Sequence, residues 1–262
     1  MRKKNVEAIY PLAPSQQGML FETLAGSASG RYIEQSVWNL TGDVNVAAFE
    51  QAWQRVVDRH AVLRTCFVWK HQAEPLQVVL RQAKLPLARE DWQGFSVSQQ
   101  RENLEEYLST DRLKGFNLER APLMRLALFQ TGQNTAQFVW TFHHILMDGW
   151  CLPLLVKEVL AFYDAFTRGQ AVTFEPGYSY RNYITWLKRQ DLSRAEAFWR
   201  KALQGFTQPT PLGREVEATS EVVATQIYGE QQARLPTSTT ATLQTLASQH
   251  RLTLSSVLQG IW

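Results

Sequence analysis

Residues 135–169, "TAQFVWTFHHILMDGWCLPLLVKEVLAFYDAFTRG", leave the chain little freedom. The opening stretch is apolar, aromatic and β-branched. With "LMRLALFQ" ahead of it and the turn "TGQN" between, it predicts a pair of strands. From "LPLLV" onward the pattern is that of a long helix stopped by Gly169. The joint between strand and helix holds His143, His144, Asp148 and Gly149. The strand fixes the backbone ahead of the histidines, and the helix turns its N-terminal amides and positive dipole end toward the same space. A neutral imidazole held there can remove a proton from an attacking amine or hydroxyl at physiological pH. Asp148 would orient a histidine or pair with a buried arginine, and Gly149 would let the loop turn tightly and its backbone approach a substrate.

Two plainer readings of the double histidine stand beside this one. A metal site needs about three or four ligands, yet adjacent histidines project in different directions and no third ligand is evident. Two satisfied structural histidines are the default for a lone pair. Against that default, the pattern His-His-x-x-x-Asp-Gly fixes four positions and is fairly specific for so short a signal.

The remaining stretches supply a frame. "PSQQGMLFETLAG" predicts a short helix with Ser15 placed to cap it. "YIEQSVWNLTG" alternates as a strand, and "NVAAFEQAWQRVVDRHAVLRT" sets Val46, Phe49, Trp53, Val56 and Val57 on one helical face. "TCFVW" and "LQVVL" are strand-like. "SVSQQRENLEEYLSTDRLKGF" reads as a polar helix ending near Gly115. "SYRNYITWLKRQ" and "LSRAEAFWRKALQGF" predict helices with aromatic inner faces, Tyr180, Tyr183 and Trp186 being assigned to the core. The Thr-, Pro- and charge-rich "TQPTPLGREVEATSE" is the linker candidate. Beyond it "VATQIYGEQQARL" predicts a strand and "TSTTATLQTLASQHRLTLSSVLQGIW" helices. The boundaries expected are an N-terminal lobe over 1–206, a linker over 207–220, and the opening of a second lobe over 221–262.

Composition narrows the function classes. With 262 residues and 45% hydrophobic content the chain can bury a core. Its net charge of +3 exerts no strong pull on nucleic acid or an anionic membrane. No apolar run approaches a bilayer span and no signal peptide is evident. Cys66 and Cys151 suggest no disulfide framework. The chain reads as cytosolic.

"HHILMDG" resembles the motif of the condensation domains of non-ribosomal peptide synthetases, in the superfamily of chloramphenicol acetyltransferase. "LAPSQQGMLF", "RHAVLRTCF", "FNLERAPLMRLAL" and "YRNYITWL" resemble further family segments in the family's order, so the likeness runs from about Ile9 to Trp262. It implies an α/β fold: a two-layer sandwich lobe with a mixed sheet and helices, plus the start of a second similar lobe. It implies amide formation between a donor acyl or peptidyl thioester and the amine of an acceptor aminoacyl thioester. The domain itself is expected to bind no cofactor. Its substrates ride on the phosphopantetheine of donor and acceptor carrier domains, beside an adenylation domain in the full synthetase.

Residue by residue, the resemblance makes His144 the catalytic histidine, as general base or as the group that positions the amine. His143 supports it, and Gly149 offers a backbone N–H to the developing oxyanion. Asp148 and Arg64 are expected to form a structural ion pair, with Arg59 as a rival partner. Cys151 stands where many relatives have serine, and a small packed residue is the expected role. Asn182 occupies a position often held by aspartate. A heterocyclising relative would replace the histidines. An epimerising relative, a free-standing acyltransferase and a non-catalytic carrier-docking module are the alternatives. The uncapped end "SSVLQGIW" predicts a truncation, and with half of its enclosure absent the isolated chain is expected to be inactive. Met1 lies close to the first motif, which predicts a domain that opens its polypeptide and takes its donor carrier from a separate upstream protein.

Overall fold

The computed structural model describes residues 5–26, 30–175, 177–208 and 233–261. Its frame is the hairpin foreseen ahead of the histidines. Strand β6 (Met124–Gly132) runs antiparallel to β7 (Thr135–His143), and β2 (Ile33–Thr41) pairs antiparallel with the other edge of β7. A further strand, β5 (Leu87–Asp91), lies parallel to β6, which makes this four-stranded sheet mixed. A second sheet, in the order β1–β4–β3, combines β1 (Val6–Pro11), β4 (Leu76–Leu80) and β3 (Thr65–Val68). This is an α/β architecture with a mixed sheet, as the sequence led one to expect.

Strand β7 is buried on both faces, so its apolar content runs on without alternation. Phe138, Trp140 and Phe142 meet Phe49, Trp53 and Val56 of α2 (Val46–Arg59) together with Leu155, Val159 and Phe162 of α4 (Cys151–Thr167). Trp53 and Trp140 pack edge to face at 4.8 Å. Truncating either to alanine would cost about 3–5 kcal/mol. On the opposite face Val139, Ala127 and Phe129 meet Trp92 and the apolar side of α3 (Val97–Lys114), with Trp92 stacked on Phe129 at 3.9 Å. Caps delimit these helices. The Asn45 side chain accepts from Ala48 N–H, and Ser96 from Gln99 N–H. Gly115 and Gly169 end α3 and α4 with positive φ.

Helix α1 (Pro14–Ala25) corrects one expectation. Its N-cap is Ala13 rather than Ser15, and the side chain of Gln16 folds back to accept the Ala13 N–H at 3.0 Å. Helices α5 (Tyr180–Leu187) and α6 (Leu192–Ala202) correct another. Ile184 is buried and Tyr180 packs beside it, but Tyr183, Trp186, Phe198 and Trp199 are exposed. Their aromatic faces are therefore not inner faces in this chain.

The chain divides into two compact units, 1–214 and 215–262. The second shows α7 (Thr237–Gln249) and α8 (Leu254–Ile261) packed on each other. Nearly all of the expected linker over 207–220, and most of the expected strand within 223–235, lie outside the described residues. Among the described residues no helix is long and apolar enough to cross a membrane.

Candidate active site

The two histidines part company at the end of β7. His143 is the last residue of the ladder, opposite Ile33, and is fully buried. Its Nδ1 accepts the Ile145 N–H at 3.1 Å, which places the neutral ring's proton on Nε2. Nε2 then donates to Thr23 Oγ1 at 3.2 Å, and that hydroxyl donates to Met19 O at 2.7 Å. Burial, with a smaller contribution from His144, pushes the His143 pKa down to about 4. A ring neutral at physiological pH, with both nitrogens engaged, serves the fold. The supporting part expected of His143 would have to be played from within the core, through these two hydrogen bonds.

His144 lies one residue beyond the ladder, its N–H bound to Tyr32 O at 2.8 Å. Its Nδ1 sits 2.8 Å from Met147 O, a carbonyl that can only accept. The neutral ring's proton is therefore on Nδ1, and the Nε2 lone pair meets no partner among the described residues. His144 is half-buried and lines a cavity of about 510 Å³ together with Met19, Arg64, Asp148, Cys151 and Tyr180. His143 is not part of that wall. The imidazoles thus serve different surroundings.

The loop is held from below by α1. Gln16, 5% exposed, donates its Nε2 to Ile145 O at 3.1 Å. Its Oε1 accepts from Ala13 N–H and from Gln77 Nε2 at 3.1 Å. One buried amide therefore ties the histidine loop to the start of α1 and to β4, which gives the "PSQQG" stretch a physical role.

The ion pair expected between Asp148 and Arg64 is not formed. Arg64 ends the 3₁₀ turn Ala61–Arg64 beside β1 and β4, where nearer acceptors satisfy it. It donates to Val57 O at 3.2 Å, to Glu7 Oε2 at 2.7 Å and to Leu80 O. Asp148 is exposed and serves the start of α4 instead, accepting Trp150 N–H at 3.0 Å and the Cys151 thiol at 3.4 Å. The rival Arg59 is taken by Glu158 at 3.0 Å, a carboxylate that also holds His60 Nε2 at 2.7 Å. Burial pushes the Cys151 thiol up, so proximity to a helix N-terminus does not activate it.

Gly149 has no positive φ, and a Cβ built on it would meet open space. The turn itself does not demand glycine, and the backbone N–H finds no partner among the described residues. Tyr180, assigned to the core from its spacing, lines the cavity, and burial and the neighbouring Tyr183 push its phenol up to about 12. It is a neutral hydrogen-bond donor facing the same space as His144. Sequence reasoning also missed Glu7 and Glu158. The signal for Glu158 is a lone carboxylate, beside Lys157, in the largely apolar stretch "LLVKEVL".

The family model for the condensation domain matches residues 6–262. Among curated proteins, one of the linear gramicidin synthase polypeptides of Brevibacillus parabrevis is 45% identical over 258 residues, which is 98% of this chain and 5% of that protein. Tyrocidine synthase 2, also of Brevibacillus parabrevis, is 35% identical over 260 residues, covering 99% of this chain and 7% of its own length. The starter condensation domain of rhizomide synthetase superposes with a TM-score of 0.66 at 21% identity, covering 78% of this chain and 52% of that one. The first condensation domain of the calcium-dependent antibiotic synthetase, solved with a substrate analogue, gives 0.67 at 20% identity, covering 80% and 52%. At such identity these two speak to the fold. The chain spans about half the length of these solved domains and under a tenth of these two curated relatives.

Proposed function

Since this chain belongs to the condensation-domain family, we propose that it carries the reacting histidine of an amide-forming acyltransferase, with His144 as that residue. The observation that supports this reading is the fixed tautomer of His144: Nδ1–H is bound to Met147 O, and the Nε2 lone pair is open to the cavity. The donor is an acyl or peptidyl thioester and the acceptor an aminoacyl thioester, each on the phosphopantetheine arm of a carrier domain. The acceptor amine attacks the donor carbonyl. A C–N bond forms, the C–S bond breaks, and the donor arm leaves as a thiol. Nε2 takes the proton that the amine nitrogen must lose and returns it to the departing sulfur, or holds the amine in line by accepting its N–H while that proton passes to the sulfur. The neutral Tyr180 phenol, which lines the cavity, is a donor on hand for the carbonyl oxygen as it becomes negative, and Gly149 N–H is the backbone donor that the family resemblance implies. The partners on this reading are donor and acceptor carrier domains and an adjoining adenylation domain, all in the cytoplasm.

The test uses the domain extended past Trp262, with both carriers loaded, and follows dipeptidyl thioester by intact-protein mass spectrometry. Product that disappears with His144→Ala supports the proposal. Carriers that bind while the extended wild-type domain makes no product would overturn it, and α-proton exchange without acyl transfer would point to an epimerising relative.

A further inference from the structure

The backbone beneath His144 is unusual. Tyr32 has a φ of +59°, in the left-handed region that bulky side chains avoid, two residues after Gly30 at +62°. Glycine occupies that region without cost, whereas tyrosine persists there only where its surroundings hold it. The holding groups come from the end of α3. Arg112 donates Nη1 to Ile33 O at 2.9 Å, and Ile33 N–H bonds back to Gly30 O at 3.3 Å. The Arg112 side chain lies so close over Gly30 that a Cβ there would come within 2.7 Å of its Cγ. The segment from Gly30 to Ile33 is thus a clamped turn closed by a strained residue.

That strained residue meets the active site through its backbone. Tyr32 O accepts the His144 N–H at 2.8 Å, one step past the last β2–β7 pair, Ile33 with His143. It is the contact that carries the sheet's order across to His144 after β7 has ended. The Tyr32 ring lies 6.3 Å from that of His143, tilted by 34°.

From this geometry we infer that Tyr32 is a positioning residue: its left-handed backbone, clamped by Gly30 and Arg112, aims a carbonyl at the His144 amide and so sets the direction of the imidazole into the cavity. Strain stored one residue before the ladder starts is what lets the carbonyl reach beyond the ladder's end. The catalytic consequence rests on the reading of His144 as the reacting group, whereas the structural statement does not.

The test compares Tyr32→Gly with Tyr32→Ala. Both remove the ring, but only alanine is penalised at positive φ. In the chain itself, hydrogen exchange at the His144 amide is expected to be at least about fivefold faster in Tyr32→Ala than in Tyr32→Gly, and faster still in Tyr32→Val. In the extended domain with loaded carriers, kcat falls about tenfold more for alanine than for glycine, with KM within about twofold. Should Tyr32→Val not fold, the alanine and glycine pair alone decides. Equal exchange in the two variants would overturn the inference, because the ring and not the backbone would then carry the effect. Failure of condensation in all forms, with the exchange difference intact, would remove the reaction assigned to His144 and leave the positioning standing.

Discussion

The end of β7 and the loop that starts one residue later differ in almost every physical respect. At His143 the chain is still laddered to β2, fully buried, and each ring nitrogen has a partner. At His144 the ladder has ended, the ring is half-buried, and only Nδ1 is engaged. Successive side chains on a strand point to opposite faces, so a single peptide step separates a side chain that belongs to the core from one that belongs to a cavity. The division of labour between two identical residues thus follows from where the ladder stops. It needs no difference in their chemistry.

The largest expected effect comes from removing the cavity side of this pair. His144→Ala should lower turnover of the extended domain at least about 100-fold, while the chain keeps its unfolding temperature. Steady-state kinetics beside a thermal melt check both parts. Equal losses of activity and stability would erase the contrast between the two histidines.

The buried side should declare itself through pH. The folded pKa of His143, about 4, lies below the unfolded value near 6.5, so the unfolded chain binds more protons between those limits. The stability contributed by the neutral ring is fully present above about pH 6.5 and is lost as pH falls through about 4. The loss is about 3 kcal/mol. Urea titrations across that window should show the slope, and His143→Gln, which cannot titrate, should flatten it.

Smaller still is the contrast between Arg64 and Asp148. Arg64→Ala removes a buried guanidinium bonded to Glu7 and two carbonyls and should cost about 2–3 kcal/mol. Asp148→Ala loses an exposed hydrogen bond to the Trp150 N–H ahead of α4, worth about 1 kcal/mol. A double-mutant cycle between the two should couple by less than about 0.5 kcal/mol, since they share no contact. A coupling several times larger would restore the expected ion pair. Least in magnitude, the Cys151 thiol should react with iodoacetamide more slowly than a free cysteine at neutral pH, because burial raises its pKa.

The fold was legible wherever a whole element carries one pattern. The β6–β7 hairpin, α2 and α4 follow from their apolar patterns, and the ends of α3 and α4 from Gly115 and Gly169. Two strands escaped notice. In β5, "LARED", four charged or small residues follow a single leucine on a sheet edge where solvent takes the side chains. In β1 the alternation is weak because only Tyr10 of its six residues is buried. The aromatic faces of α5 and α6 were misplaced because helical spacing reveals that a face exists without revealing what meets it.

At the site, the place of His144 in a loop between strand and helix was legible from the motif. Partner choice was not. The preference of Arg64 for Glu7 over Asp148 depends on how β1 lies beside the turn Ala61–Arg64, a contact between residues 57 positions apart. The clamp on Tyr32 depends likewise on α3 returning across β2. Single-sequence patterns carry no information about such long-range meetings.

The most direct test of the divided pair is a nitrogen-15 spectrum of the two imidazoles in the intact chain, followed through an acid titration. The account predicts opposite tautomers at neutral pH, with the proton on Nε2 of His143 and on Nδ1 of His144, and His143 signals unmoved until the pH nears about 4. The same tautomer in both rings, or a His143 that titrates near its ordinary value of about 6.5, would contradict it.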